Sequence, residues 1–371
     1  MRMLETTLLT GPYDWDETLI PRSEYDSRIA AVRQILRKHD LAGLIVGGTS
    51  PEHGALGYAT GFVPKLGPAL AFIPRDGELR LAFSGGGAMV NSAERLTFIA
   101  DVRAMRDAEQ EIAAWLRDGG GTRFGLWGND AIPNDVRGAF DRAAPAPIIV
   151  LDNELDALRR RKTACEIALI RRACEILNIV MRELRDATTN GKGVRTAALA
   201  AERAGYAADA EDIRILLSRR DGGMPEPLIG TDDPRPNPLL ACIAVRFAGY
   251  WAEGLAMIAT RETPAHAAAE AALSAVLREV RPGVVATALS QAAQTNLAGL
   301  ETHPFVAANI GNGIGVSRAE APFLGAGDLS PLQDGDVCSL RVGARAGTAD
   351  NAIASAMVRV GPTGADILWP A

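Results

Sequence analysis

Apolar positions along the chain recur with two spacings. After Ser23, the residues Ile29, Val32, Ile35 and Leu36 fall at three- and four-residue intervals, one face of a helix for which Ser23 is the expected N-cap. The apolar run 43–47 that follows reads as a strand, so the chain opens as β/α. Strands are expected over 69–74 and 79–83 about a turn at Asp76-Gly77, and a helix over 108–117. The stretches 125–126, 131–135 and 148–151 complete a first domain, and a boundary is placed near residue 153, dividing 1–153 from 154–371. Beyond it, Thr163 and Glu166 form a T-x-x-E capping box ahead of a long stripe, Ile167, Ile170, Cys174, Leu177, Met181 and Leu184. A helix over 194–204 is expected to stop at Gly205. Residues 210–237 carry Arg214, Arg219, Arg220, Asp221 and Glu226 among Gly and Pro, and read as a charged loop on the rim of a pocket. Residues 239–260 are strongly apolar and break at Phe247-Ala-Gly-Tyr250, a buried hairpin. Helices over 264–280 and 286–300 flank an Arg281-Pro-Gly-Val turn, and strands within 331–343 and 352–368 close the chain.

Composition narrows the class. A chain of 371 residues that is 47% hydrophobic with mean hydropathy +0.04 is expected to be globular and two-domain. The N-terminus is acidic where a signal peptide needs an apolar core, and no later run is long and apolar enough to span a bilayer, so a cytoplasmic protein without a membrane partner is expected. The four cysteines, Cys165, Cys174, Cys242 and Cys338, lack C-x-x-C spacing and read as buried thiols. A net charge of −6 with pI about 5.4 argues against nucleic acid, leaving a small molecule or a protein as partner.

The hairpin turn Gly249-Tyr250-Trp251-Ala252-Glu253 resembles the GY-x-x-D turn of the creatinase/aminopeptidase P/methionine aminopeptidase family, M24. Gly311-Asn312-Gly313-Ile314-Gly315-Val316-Ser317-Arg318-Ala319-Glu320 resembles that family's GHGIG-x-x-x-HE segment. Tyr58-Ala-Thr-Gly-Phe62, which alone reads as a strand end with a glycine turn, resembles a motif of the N-terminal domain of creatinases and prolidases. The opening Lys162-x-x-x-Glu166-Ile and the strands within 331–343 and 352–368 resemble further family segments in the family's order. The resemblance implies an α/β fold, a creatinase-like N-terminal domain followed by a pita-bread C-terminal domain. It also implies a homodimer in which one subunit's N-terminal domain closes the neighbour's pocket, with Lys65 reaching across.

In metal-dependent members of that family, two aspartates, a histidine and two glutamates hold a pair of divalent ions. The resemblance puts Cys242 and Glu253 at the aspartates, Asn312 at the histidine, and Arg341 and Ser355 at the glutamates. Of these only Glu253 is an anionic oxygen ligand, and a guanidinium is always protonated and has no lone pair to give. No metal and no cofactor are therefore expected. A metal-free mechanism of the creatinase type needs a histidine ahead of the hairpin, and none lies between His53 and His266.

The candidate site gathers the residues left at those positions. Glu253 and Glu320 are candidates for proton transfer, as is His303 at the head of the glycine-rich run; Arg341 and Arg246 are candidate anchors for a charged ligand, with Asn312 and Arg318 beside them. An ion pair between Glu253 and Arg341 is expected, either as part of a site or as filling for a vacated hole. Tyr250 and Trp251 are candidate pocket walls, while His39 and His266 read as helix-surface residues. GNGIG lacks the following helix of a dinucleotide loop. The expected function is metal-independent hydrolysis or other C–N cleavage of a small polar carboxylate- or amidine-bearing substrate. The alternatives are a catalytically inactive member binding a peptide or small ligand, and an Xaa-Pro-type metallopeptidase.

Overall fold

Short apolar runs separated by amphipathic stretches build one mixed sheet in the N-terminal part of the chain. The computed structural model describes residues 14–218, 223–228, 238–259, 261–325, 327–347 and 350–370. Two compact units are distinguished, residues 1–159 and 160–371. In chain order the first holds α1 (Arg22–Lys38), β1 (Gly43–Gly48), α2 (Gly54–Thr60), β2 (Ala69–Pro74), β3 (Arg80–Ser84), α3 (Val90–Ala93), β4 (Asp101–Met105), α4 (Ala108–Asp118), β5 (Phe124–Trp127), α5 (Asn134–Ala143) and β6 (Ile149–Val150). Its sheet runs β4-β3-β2-β1-β5-β6, and Phe72 stacks on Trp115 of α4 in a core completed by Phe124, Leu126 and Phe140.

Two local expectations are corrected here. Helix α1 is entered from Pro21, at φ −66°, with no side-chain cap, and Ser23 lies inside the helix; proline pre-sets the φ of a helix start without needing a capping hydroxyl. Tyr58-Ala-Thr-Gly-Phe62 is a helix end, not a strand end: α2 stops at Gly61, whose φ of +72° glycine adopts without the Cβ penalty. The helix α6 (Asp152–Arg160) carries the first unit past residue 153, because Gly128 N–H bonds the carboxylate of Asp152 at 2.7 Å and Trp127 bonds that of Asp156 at 2.9 Å.

The second unit begins with α7 (Ala164–Thr189), held at its start by the expected capping box: Glu166 N–H reaches the Thr163 hydroxyl at 3.2 Å and Thr163 N–H the Glu166 carboxylate at 3.0 Å. Next comes α8 (Val194–Ala207), which runs through Gly205 rather than stopping there. A Cβ on Gly205 would sit 2.4 Å from Ile213 and 2.7 Å from Val180, so this glycine serves close packing. The stretch expected to be a charged loop begins as strand β7 (Asp212–Ser218), with Ile213, Ile215 and Leu217 on one face and Asp212, Arg214, Leu216 and Ser218 on the other, followed by β8 (Pro225–Glu226). Residues 219–222 and 229–237 of that stretch, with Arg219, Arg220 and Asp221, lie outside the described residues.

The hairpin forms as expected from β9 (Leu239–Phe247) and β10 (Tyr250–Ile258), with Ala248 at φ +45° and Gly249 at φ +82°, the two positive angles a tight two-residue hairpin turn needs. The remaining elements are α9 (Pro264–Glu279), α10 (Ala286–Thr295), β11 (Glu301–Thr302), β12 (Asn309–Gly313), β13 (Glu320–Gly325), β14 (Val337–Ala346), β15 (Asp350–Val360) and β16 (Ala365–Trp369). Helix α10 ends five residues before the expected 300, with Ala298 and Gly299 at positive φ.

These strands make two sheets, β10-β9-β7-β8 and β13-β12-β14-β15-β16, the second also pairing β11 with β14. Strand alternation sends Leu340, Val342 and Ala344 of β14 into an apolar core shared with α9 and α10. Ser339, Arg341 and Gly343 therefore point the other way, toward the hairpin sheet. Among the described residues no helix is long and apolar enough to cross a membrane.

Candidate functional site between the two sheets of the second unit

On β10 the same two-residue alternation separates neighbours. Glu253 pairs with Ala244 and Trp251 with Arg246, which places Trp251, Glu253 and Leu255 on the face that carries Cys242, Ala244 and Arg246. Tyr250 faces the opposite side, where its hydroxyl donates to Glu166 of α7 at 3.2 Å. It ties the hairpin to the helix and does not wall the site.

Glu253 is 3% exposed and is held from several directions. Arg341 Nη1 donates to its Oε1 at 3.3 Å, Arg318 Nη1 donates to Oε2 at 2.8 Å, and the Ser339 hydroxyl donates to Oε1 at 3.5 Å. Arg341 also donates through Nη2 to Asn312 Oδ1 at 3.0 Å, and through both Nη2 (2.5 Å) and Nε (3.2 Å) to Asn309 Oδ1. Asn312 is buried, and its amide nitrogen donates to the carbonyls of Gly313 and Arg318 at 2.9 and 3.2 Å, which fixes its oxygen toward Arg341. The expected ion pair of Glu253 with Arg341 is present, and Arg318 doubles it. Ser339 and Asn309 were missed by the sequence reading. Their signal was positional: Ser339 stands two before Arg341 on one strand face, and Asn309 three before Asn312.

A cavity of about 180 Å³ opens beside these groups, lined by Glu253, Arg318 and Arg341 together with Cys242, Leu255, Phe305, Ala308 and Asn309. Burial, reinforced by the charge of Glu253, pushes the Cys242 thiol up to about 12. It is a protonated, unreactive wall at neutral pH. Ser355, directly opposite Arg341 in the β14–β15 register, is spent on the backbone of β10: Leu255 N–H donates to its hydroxyl at 2.7 Å and the hydroxyl donates to Leu255 C=O at 2.9 Å.

Other candidates fall outside this cluster. Arg246 lies in the row of Trp251, with Nε 3.1 Å from Glu211 and the guanidinium 5.3 Å from the Trp251 ring, whose other cationic neighbour is Arg214 at 4.7 Å. Glu320 pairs with the ammonium of Lys162, both side chains almost fully buried, and accepts from Ser317 N–H at 3.4 Å. It is neither a rim carboxylate nor in contact with the cavity. His303 caps a short turn, its Nδ1 accepting from Phe305 N–H at 3.2 Å; burial first, then the charge of Arg345, lowers its pKa and keeps it neutral. Lys65 lies in the first unit, between α2 and β2.

The donor set does not fit a pair of divalent ions. It offers one carboxylate already shared by two guanidiniums, an amide oxygen facing a guanidinium, a protonated thiol and a hydroxyl committed to backbone. Among the described residues no group of three or more His, Cys, Asp or Glu side chains is arranged to hold a metal.

Comparison with known proteins places this architecture. The family model for metallopeptidase family M24 matches residues 168–362, just over half of the chain. No curated protein is similar enough in sequence to count as a match. Among solved structures, the prolidase from Pyrococcus horikoshii OT3 superposes with TM-score 0.75 at 16% identity, over 92% of this chain and 97% of that one. Dipeptidase PepE from Mycobacterium ulcerans gives 0.74 at 20% identity, over 96% of each chain. The N-terminal domain of the FACT complex subunit SPT16 from chickpea, Cicer arietinum, gives 0.66 at 14% identity, over 93% and 96%. At these identities the likeness is one of fold: two domains, α/β throughout, with the prolidase-type pita-bread second domain.

Proposed function

The chain belongs to metallopeptidase family M24, and from that footing we propose that its inter-sheet site works without a metal pair, as a binding site for a small carboxylate-bearing ligand. The observation that carries this reading is the charge balance at Glu253. Two guanidiniums share one carboxylate, so the cavity wall keeps one positive charge unmatched among the groups in contact there. Arg341 spends its donors on Glu253, Asn309 and Asn312, whereas Arg318, with its side chain 47% exposed, makes one side-chain hydrogen bond among the described residues, through Nη1 to Glu253. Its remaining fork suits an incoming carboxylate.

A second reading, metal-independent C–N cleavage of the same ligand class, is favoured by that same exposure of Arg318. A ligand carboxylate that drew Arg318 away would free Glu253 Oε2 to take a proton from water. We extend either reading to a cytoplasmic homodimer, to be checked by light scattering, with Lys65 as the residue to vary at the subunit contact.

The test is thermal unfolding with a panel of small carboxylates, with and without chelator. A ligand at 100 times its Kd should raise the midpoint by about 2–4 °C, equally in chelator, and Arg318→Ala should abolish the rise. Glu253→Gln separates the two readings: it should tighten carboxylate binding if the site only binds, and abolish turnover if the site cleaves. Two Mn, Co or Zn ions per purified chain with dipeptidase activity would overturn both.

A further inference from the structure

Resting on the binding reading above, in which the exposed Arg318 draws the carboxylate in, we propose that the ligand is a monocarboxylate with a short branched aliphatic body, and that its carboxylate settles on the edge of Arg341 that Asn309 holds until it arrives. Asn309 Oδ1 accepts from Nε and Nη2 of Arg341 together, at 3.2 and 2.5 Å. Those two nitrogens form one edge of the guanidinium fork, an edge that a carboxylate takes with two oxygens and two charge-assisted bonds. A neutral amide supplies a single oxygen there. Such a pairing is the weaker of the two, and a carboxylate displaces it at the cost of one side-chain rotation.

The two asparagines on this arginine differ in freedom. Asn312 is 6% exposed and locked by two carbonyls, while Asn309, at the open end of β12, is exposed. Asn309 can therefore swing out without leaving a buried group unpaired.

Beyond Asn309 lies a second hollow of about 230 Å³, between α10 and the strands β12 and β14. Leu297, Val306, Ile310 and Val342 give it an apolar side, and Ser290, Gln294 and Thr302 a polar one. It has Ala308, Asn309 and Arg341 in common with the charged cavity, so Asn309 and Arg341 form a wall between the two hollows. A ligand with its carboxylate on the arginine edge that Asn309 covers lays its body against the apolar side. At about 30 Å³ per water-sized group, the hollow holds roughly seven or eight such groups, room for a short branched aliphatic body and not for a long acyl chain.

Calorimetric titration of the full chain with 4-methylpentanoate, acetate and 4-methylpentan-1-ol tests this. The branched acid should bind on the order of a hundredfold more tightly than acetate, and the alcohol should not bind. Asn309→Ala removes the competing amide and should tighten both acids several-fold. Ala308→Leu, at an exposed position on the wall that both hollows share, adds bulk there and should weaken the branched acid about tenfold more than acetate. An unchanged branched acid in Ala308→Leu, weaker acids in Asn309→Ala, or the alcohol binding as well as the acid would overturn the inference and leave the binding reading standing. If neither acid bound the wild type, the binding reading itself would fail and take this inference with it.

Discussion

Arg341 Nη1 lies 3.3 Å from Glu253 Oε1, joining strands of two different sheets across 88 residues of sequence. Each residue sits where strand alternation turns it inward, and each is mostly shielded from water, Arg341 at 16% and Glu253 at 4% side-chain exposure. Breaking such a pair leaves the other charge buried without its partner.

Arg341→Ala should therefore lower stability by about 3 kcal/mol, less than a lone buried pair would lose because Arg318 keeps its hold on Glu253. Arg341→Lys should recover only part, since an ammonium cannot serve Glu253, Asn309 and Asn312 at once. Equilibrium urea unfolding measures both. Wild-type stability in Arg341→Ala would show that the pair does not hold the sheets.

Lys162 and Glu320 make the deeper pair, at 2% and 4% side-chain exposure, against Gly315, where a Cβ would come within 2.7 Å of Glu320. Lys162→Met should cost about 3–5 kcal/mol. The double variant Lys162→Met/Glu320→Leu should return to within about 1 kcal/mol of wild type, because well-packed apolar side chains replace a buried pair at little cost. A double variant as unstable as the single one would mean that the pair is not self-contained.

Thiol reactivity should divide the four cysteines. Burial raises Cys174 and Cys242 to about 12 and raises Cys338 as well, so at pH 8 all three stay protonated. Cys165, half-buried, should react first with a thiol reagent in the native protein, the other three only after denaturation. Rapid native labelling of Cys242, read by peptide mass, would contradict the closed geometry around Glu253.

His303 predicts a pH dependence with a definite sign. Its pKa is lowered in the fold from the ordinary 6.5, so below that value the unfolded chain binds the proton that the folded chain refuses. The contribution is fully kept above about pH 6.5 and lost as pH falls toward the depressed folded value. The urea midpoint of wild type minus that of His303→Gln, followed from pH 7.5 to 5, should fall with acid. A flat difference would place the imidazole in contact with water.

Much of this protein was legible residue by residue. The Thr163–Glu166 box, the stripe from Ile170 to Leu184 and the turn at Ala248-Gly249 are local devices, settled by groups within a few residues of one another. Alternation alone also carried a point that the sequence reading passed over: Tyr250 and Trp251 are strand neighbours and cannot both face one cavity. Local pattern did not reach the partners chosen at long range. Glu320 meets Lys162, Arg246 meets Glu211 instead of the cavity, and Asn309 comes to Arg341 only because β12 and β14 pair in one register. Sequence determined which residues point together along each strand; the pairing of strands decided which charges share a space, because ion pairs depend on distances that only sheet register and sheet packing set.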